Sequence, residues 1–538
     1  MIRIALAQAD FTVGAVDANL SRLSALRAEA AAAGASLLVT PELSLCGYPP
    51  DDLLLRQGFL RGCEDALSEL LRQTQTPGPA MLVGHPHRDG RLLRNSLSWL
   101  QDGVLRARYD KQCLPNYAVF DEKRYFTPGQ NPCVVTQAGH RFGLLICEDI
   151  WFDGPARQAA AAGAQTLIVV NASPYHQRKR EERIQVLAER AREVALPILY
   201  LNLVGGQDDL VFDGQSMLVR ADGSVHAVAA AFQEALLLVD YEPAEARFAA
   251  CDWHVPTPLD ESATIYAALV RATADYVRKN GFKQVLLGLS GGIDSALTLA
   301  IAVDALGPER VSAWSLPSRY TVALSNDEAR RQCEWLGVRY GLLPIEAPFQ
   351  AFIDTLAPAF IGRPADVTEE NLQSRCRGVM LMALSNKFGG LLLSTGNKSE
   401  MAVGYATIYG DMCGGFAPLK DVYKTEVYAL ARYRNSVSQA IPEVVIERAP
   451  SAELRENQTD QDSLPPYDLL DAILFRFIEL ERSRQEIIAE GYEPAIVRRV
   501  ADLVLRNEYK RRQAAPGPRV TTKAFGRDRR YPISSGYR

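Results

Sequence analysis

The sequence predicts an α/β protein of two domains, each carrying its chemically capable residues just past the ends of sheet strands. Three observations predict it. Short apolar runs alternate with amphipathic helical stretches along nearly the whole chain, the pattern of sheets covered by helices. The 538 residues are too many for one hydrophobic core. Residues 241–262 (YEPAEARFAACDWHVPTPLDES) lose periodicity and hold three prolines, which marks a boundary. The domains expected are 1–242 and 263–538, joined by a linker at 243–262 in which Trp253 and His254 read as packing and turn residues.

Composition narrows the class. Apolar content of 47% and charged content of 23% are ordinary globular values. A net charge of −5 argues against a nucleic-acid binder, which needs a basic face. No apolar run is long enough for a membrane helix, and MIRIALAQAD reads as a strand rather than a signal peptide. Nine cysteines lack CxxC spacing and six histidines lack paired spacing, so no zinc site is expected. A reduced, cytoplasmic setting follows.

In the first domain, 2–8 (IRIALAQ) reads as a strand and 17–34 as an Ala/Leu-rich helix. A strand at 36–40 closes on Pro41-Glu42, a helix follows near 53–75, and then a strand at 80–85. A strand pair turning at Asp102-Gly103 runs into Tyr109-Asp110-Lys111. Strands at 141–147 and 166–171 end in Cys147-Glu148-Asp149 and Ala172-Ser173, each followed by a helix, at 153–163 and 180–195. PILYLNL and hairpins complete the domain.

Ligands of open α/β sheets bind at such strand ends. Glu42, Lys111 and Cys147 form a sensible acyl-transfer set. A free cysteine, with a pKa of about 8.5, is mostly protonated at neutral pH. A carboxylate can take its proton, and an ammonium can stabilise both the thiolate and the oxyanion. Taken singly, each has a plainer reading: a packed strand cysteine, a cap, a solvated charge.

In the second domain a helix at 263–280 precedes QVLLGLSGGIDSALTLAIAVDAL, residues 284–306. Here an apolar strand enters Ser290-Gly291-Gly292, and Asp294-Ser295 opens a helix. A glycine turn at a helix N-terminus holds phosphate through backbone N–H groups and the helix dipole. No Gly-Lys-Ser/Thr follows, so this is not the Walker loop. Strands at 310–316, 338–343 and 390–395 alternate with helices at 325–336, 349–361 and 369–388, which predicts a doubly wound parallel sheet. Asp294 and Glu400 are candidate carboxylates for Mg²⁺ beside a triphosphate, and Lys424 and Lys398 candidate cations for the leaving pyrophosphate. The polar, proline-rich stretch within 434–467 reads either as a linker or as a lid over the site.

Family resemblance sharpens these readings. Glu42 in TPELSLCGYPPDDLL, Lys111 in YDKQCLPNYAVFDEKRYFTPG and Cys147 in GLLICEDIW resemble the Glu-Lys-Cys triad of the nitrilase (carbon–nitrogen hydrolase) superfamily. The resemblance covers residues 1–240 and implies an α-β-β-α sandwich. GYPPDDLL and NYAVFDEKRYF are similar to the glutaminase domain of the glutamine-dependent NAD synthetases. That likeness implies Tyr117, Ser173 and Lys179 as the L-glutamine pocket, although Arg178 and Arg180 crowd Lys179.

SGGIDS resembles the pyrophosphate-binding loop of the ATP pyrophosphatase class. With ENLQSRCRGVMLMALSN, LLLSTGNKSEMAVGYATIYGD, PLKDVYKTEVYAL and NEYKRRQAAPGPRVTTKAFGRDRRYPI it resembles the NAD synthetase domain across nearly all of 263–538. That implies ATP held by Gly288, Leu289, Ser290, Gly291, Gly292, Ile293, Asp294, Ser295, Thr395 and Lys424. It also implies deamido-NAD met by Asn371, Glu400 and Lys510, with Mg²⁺ on Asp294 and Glu400. The basic tail from Lys510 suits a dinucleotide and ATP better than RNA.

The reaction implied is ATP-dependent amidation of deamido-NAD with ammonia from glutamine, giving NAD, AMP, pyrophosphate and glutamate. A homo-oligomer is implied as well. Two rivals are a nitrilase-type amidase fused to a ligase for another carboxylate, and an RNA-modifying adenylating protein using the basic tail.

Overall fold

The computed structural model describes residues 1–245, 247–249, 253, 259–456 and 458–537. The chain divides into two units, Met1–Pro258 and Leu259–Arg538. In unit 1, β1 (Ile2–Gln8) leads into α1 (Val16–Ala32), β2 (Leu37–Val39) and α2 (Gln57–Gln73), then the meander β3 (Ala80–Asp89), β4 (Leu92–Gln101) and β5 (Val104–Asp110). A long loop precedes β6 (Val134–Gln137), β7 (His140–Ile146), α3 (Asp153–Ala161), β8 (Thr166–Asn171), α4 (Lys179–Val194) and β9 (Ile198–Asn202). Short strands β10 (Val204–Gln207), β11 (Leu210–Asp213), β12 (Met217–Val219) and β13 (Val225–Val228) lead to β14 (Ala235–Glu242) and β15 (Arg247–Phe248).

Two mixed sheets result, ordered β15-β14-β1-β2-β3-β4-β5 and β13-β12-β9-β8-β7-β6. The period-two alternation of each strand builds the layers. Ile4, Leu6, Leu37, Val39 and Leu82 face a sandwich core shared with Leu144, Ile146, Ile168, Val170 and Leu199. Their neighbours Ala5, Ala7, Leu38, Met81 and Val83 point outward to Leu23, Leu26, Leu60 and Leu70 of α1 and α2. A one-residue slip of β1 would drive Ile4 and Leu6 into the helix layer, where the alanines leave room for α1. Burying each such Leu or Ile stabilises the fold by about 1.5–3 kcal/mol. The result is an α-β-β-α sandwich.

Of the stretch read as a linker, Arg247–Phe248 still pairs with β14, Phe248 opposite Tyr241. Trp253 donates its indole N–H to the Leu238 carbonyl at 2.9 Å and packs on the sandwich core. Ala246, Ala250–Asp252 and His254–Pro258 lie outside the described residues.

Unit 2 begins with α5 (Glu261–Lys279), capped by Asp260, whose Oδ1 accepts the Ala263 N–H at 2.6 Å. There follow β16 (Val285–Gly288), α6 (Ile293–Leu306), β17 (Val311–Ser315), α7 (Ala323–Leu336), β18 (Arg339–Leu342), α8 (Glu346–Leu356), α9 (Val367–Phe388) and β19 (Leu391–Leu393). The sheet is wholly parallel, ordered β18-β17-β16-β19. Connections run outward from β16 to β18 and then jump back to β19, so the winding reverses beside β16. A crevice opens at such a switch point, beyond the strand C-termini. Leu289–Gly292 and Ser394–Asn397 are the loops that flank it.

The remaining helices are α10 (Lys398–Val403), α11 (Lys424–Val437), α12 (Glu443–Glu447), α13 (Tyr467–Leu474), α14 (Arg484–Ala489), α15 (Pro494–Arg506) and α16 (Glu508–Arg511). Leu470, Ile473, Leu474, Val497, Val500 and Val504 form their own apolar cluster under α10. Among the described residues, no helix is long and apolar enough to cross a membrane.

Candidate functional site

Unit 1 brings Glu42, Lys111 and Cys147 together from the ends of β2, β5 and β7. All three are buried. Gly84 lets the Glu42 loop lie flat on β3, since a Cβ there would meet Pro41 O at 2.6 Å and Leu43 N at 2.5 Å. Glu42 Oε1 accepts from Lys111 Nζ at 2.7 Å and Asn95 Nδ2 at 2.8 Å, and Oε2 accepts the Ala172 N–H at 3.0 Å. Cys147 sits on the sharp turn that ends β7, with φ +47°, a left-handed backbone rare for a side-chain-bearing residue.

A fourth member was not singled out from the sequence. Glu122 accepts from Lys111 Nζ at 2.8 and 2.9 Å and from the Tyr48 hydroxyl at 2.9 Å. Lys111 is therefore shared by two buried carboxylates. Burial works to lower its pKa, but Glu122 and Glu42 more than reverse this and leave it well above the ordinary lysine value. Burial pushes Glu122 up to about 7 against the pull of Lys111. Burial, then Glu42, hold the Cys147 thiol well above its usual range, while Lys111 pulls it down. The centre is thus a buried cysteine with a carboxylate and a fixed cation beside it.

The three residues implied as a glutamine pocket border this centre. Tyr117 is half-exposed, and its hydroxyl donates to Glu148 Oε1 at 2.8 Å. Ser173 lies just past β8. Its Oγ accepts from Arg183 Nε at 3.2 Å and its carbonyl from Arg183 Nη2 at 2.8 Å. Arg183, also missed, is fully buried and forks onto both oxygens of Asp213 at 2.8 Å. Among the basic residues at 178–180, Lys179 lies with its ammonium 4.0 Å over the Trp151 ring, at the end of the Cys147–Trp151 turn. Burial and Arg183 lower its pKa.

Unit 2 holds a cavity of about 290 Å³ at the switch point. Gly288 to Ser295, Thr395, Glu400 and Lys424 all line it. Gly291 has φ +80°, and a Cβ there would meet the Ser325 carbonyl at 2.4 Å. The loop is pinned by Ser295, whose Oγ accepts the Ser290 N–H at 3.2 Å and donates to the Gly292 carbonyl at 3.0 Å. Lys424 Nζ donates to Asp294 and, at 3.1 Å, to Glu400. Asn397 caps α10 by accepting the Glu400 N–H at 3.0 Å and donates to Asp294 at 2.8 Å. Burial pushes Glu400 up to about 8 despite Lys424. Asp460, on the same wall, accepts the Tyr467 hydroxyl at 2.8 Å and was not anticipated.

The stretch after α12 is a wall of this cavity. Arg448 donates to Ser325 Oγ and Glu453 Oε1, each at 2.7 Å, and Ser325 Oγ donates to Glu453 at 2.7 Å. Gln373 donates to the Leu454 carbonyl at 2.9 Å. A strap of residues 448–454 is thereby fastened by polar contacts to α7 and α9.

Three expectations look different in the structure. Lys398 points away from the cavity into a buried cage of Glu479, Asp421 (2.8 Å), Thr521 Oγ1 (2.6 Å) and the Lys523 carbonyl (3.0 Å). The basic tail is largely internal: Arg511 and Arg529 both reach Glu508 Oε2 (2.9 and 3.0 Å), and Arg519 reaches Asp528 at 2.6 Å. Asn371 and Lys510 lie outside the cavity lining and hold the loop after α10. Asn371 accepts the Thr407 hydroxyl, and Lys510 donates to the Gly404 and Ala406 carbonyls, all at 2.8 Å.

Two family models match the chain, "Carbon-nitrogen hydrolase" over residues 3–250 and "NAD synthase" over 265–514. The chain is 55% identical to the glutamine-dependent NAD(+) synthetase of Xylella fastidiosa, over all of this chain and 99% of that protein. It is 50% identical to that of Acinetobacter baylyi, with the same coverage. The solved structure of the Acinetobacter baumannii glutamine-dependent NAD+ synthetase, in complex with ADP, is 46% identical, covering 100% and 99% of the two chains, with a TM-score of 0.81. A Cytophaga hutchinsonii structure at 22% identity shares the fold, with a TM-score of 0.84 over 99% of this chain and 98% of that one.

Proposed function

The chain belongs to the glutamine-dependent NAD(+) synthetase family, and from that premise we propose how its two units divide the reaction. The enzyme makes NAD from deamido-NAD, ATP and glutamine, releasing AMP, pyrophosphate and glutamate. The observation that carries the division is Lys111 locked between two buried carboxylates beside the Cys147 thiol.

In unit 1, Glu42 takes the Cys147 proton as sulfur attacks the side-chain amide carbon of glutamine. The Lys111 ammonium stabilises the oxyanion of the tetrahedral intermediate. The C–N bond breaks, the proton passes from Glu42 to the leaving nitrogen, and neutral ammonia departs from a thioester. Water then attacks the thioester, Glu42 takes its proton, and Cys147 leaves as the thiol when glutamate is released. Ser173 and Lys179 hold the amino-acid end of the substrate, and Tyr117 lines its pocket.

In unit 2, the Ser290–Ser295 loop cradles the ATP phosphates, with Thr395 and Lys424 against the nucleotide. An oxygen of the nicotinate carboxylate attacks the α-phosphorus and pyrophosphate leaves. Ammonia then attacks the carboxyl carbon of that mixed anhydride, AMP leaves, and the amide of NAD remains. Asn371, Glu400 and Lys510 serve deamido-NAD, the first and last by shaping the loop at 404–411. Asp294 and Glu400 are the residues that would hold Mg²⁺, which supplies charge neutralisation for the departing pyrophosphate. Among the described residues there is no cluster of three metal-ligating side chains. Two carboxylates fit an ion that takes its other oxygens from phosphates and water. Assembly as a homo-oligomer in the cytoplasm completes the proposal, supported by family likeness.

The test is Cys147→Ala. Glutamine-driven NAD formation should vanish while synthesis from ammonium chloride persists near the wild-type rate. Loss of both would refute the division of labour.

A further inference from the structure

Asp149 lies two residues past Cys147 and touches no reacting atom in the scheme above, yet it is fully buried with both oxygens engaged. Oδ1 accepts the backbone N–H groups of Gln112 at 3.0 Å and Cys113 at 2.7 Å. Oδ2 accepts the Ile146 N–H at 3.0 Å and the Tyr109 hydroxyl at 2.8 Å. Each donor flanks a member of the centre. Tyr109, Gln112 and Cys113 bracket Lys111, and Ile146 precedes Cys147.

Backbone N–H groups in a dry interior need partners, and those just beyond a strand end have lost the ladder that would supply them. One carboxylate supplies three here, from two strands that carry different catalytic groups. Cys147 also holds a left-handed backbone that costs a side-chain-bearing residue about 1–2 kcal/mol, so its turn must be held from outside. The neighbouring Glu148 instead accepts from the half-exposed Tyr117 hydroxyl at 2.8 Å.

We propose that Asp149 is a positioning residue that clamps the Lys111 strand end to the Cys147 turn and so sets the ammonium against the thiol. The proposal rests on the assignment of Lys111 and Cys147 given above. Four donors converge on Asp149, and a carboxylate alone can accept from all of them. An amide of the same size accepts at one head only and sets N–H against N–H at the other.

Asp149→Asn in the full-length enzyme tests this with four measurements. Glutamine hydrolysis should fall about 100-fold in kcat/KM, the scale of a misplacement near 1 Å. Alkylation of Cys147 by iodoacetamide, followed on its peptide by mass spectrometry, should slow about tenfold, as one unit of thiol pKa would give. NAD formation from ammonium chloride should stay at the wild-type value, and unit 1 should stay folded at the assay temperature, its melting point lowered only by the few degrees that an unpaired buried N–H costs. Hydrolysis within threefold of wild type would overturn the proposal. So would lost hydrolysis with unchanged alkylation, or a unit 1 already unfolded at the assay temperature, because Asp149 would then act through general stability. A Cys147→Ala enzyme that still used glutamine would instead overturn the underlying assignment.

Discussion

Glu122→Gln separates the two carboxylates that share Lys111. Each has an oxygen close to the same Nζ, at 2.7 Å for Glu42 and 2.8 Å for Glu122. Those two oxygens can therefore be no more than about 5.5 Å apart, the sum of the two distances. At an effective dielectric constant of 20, two like charges at that separation repel by about 3 kcal/mol or more. This repulsion helps draw the thiol proton onto the pair, and neutralising Glu122 removes it. If half is felt in the transition state, the loss is about 1.5 kcal/mol, or roughly tenfold in rate. The amide keeps the size of the carboxylate and can accept from Lys111 through its oxygen, and a melting curve of unit 1 checks that the fold survives. Initial rates of glutamate release, measured from pH 5.5 to 9, give the test. Wild-type hydrolysis should rise through about pH 7 as Glu122 ionises, and the variant should lack that rise and run about tenfold slower above it. A variant within twofold of wild type at pH 8, or one that keeps the rise, would refute the reasoning. The sign for stability is the reverse of an ion-paired surface carboxylate. Folded Glu122 keeps its proton up to about 7 and an unfolded glutamate releases it near 4.5. Unit 1 should therefore lose stability as pH rises across that window.

Two further outcomes concern unit 2. Gly291→Ala adds a Cβ at φ +80° against the Ser325 carbonyl and should lower ammonium-driven NAD synthesis by at least about tenfold while sparing glutamine hydrolysis. Unchanged synthesis would mean that the loop does not hold ATP in this conformation. Lys398→Met strands the buried carboxylates of Asp421 and Glu479 and should cost about 3–5 kcal/mol. Calorimetry should then show the melting of unit 2 about 10 °C lower, at roughly 2–4 °C per kcal/mol, whereas a shift under 2 °C would return Lys398 to the candidate cations of the active site.

Most strands were legible in the sequence because burial imposes a period of two, which Ile4/Ala5/Leu6/Ala7 shows directly, whereas the stacking of two sheets in unit 1 was implied by the family resemblance. Glu42 and Cys147 stood out because each follows an apolar strand, and Lys111 because a carboxylate–thiol pair needs a cation and its YDK block resembles the family wording. Glu122 did not, although its FDEKRYF block was in view. It sits in a short turn beside Asp121 and Lys123, where no periodicity separates an inward charge from solvated ones. Asp149 was hidden likewise, since three of its four donors are backbone N–H groups that any residues would supply. The tail shows the converse limit. A run of arginines announces positive charge but not its destination, and Glu508 and Asp528 neutralise from within what looked like a surface for phosphates.

The cage around Lys398 has a consequence for how the protein is made. Asp421 Oδ2 accepts the N–H groups of Val520 and Thr521 at 2.8 Å, and Lys398 reaches Thr521 and the Lys523 carbonyl. Asn397, the residue before it, steadies both Asp294 and the start of α10. The floor of the switch-point cavity is thus finished by residues more than a hundred positions downstream of Lys398. On the ribosome, unit 1 can close its sheet once β14 has reached β1. Unit 2 stays unfinished until synthesis has passed residue 529, with the buried lysine and its acidic partners open to water and to chaperones. Nascent chains arrested before and after that point should therefore differ sharply in protease resistance over 285–430, while residues 1–242 are already resistant in both.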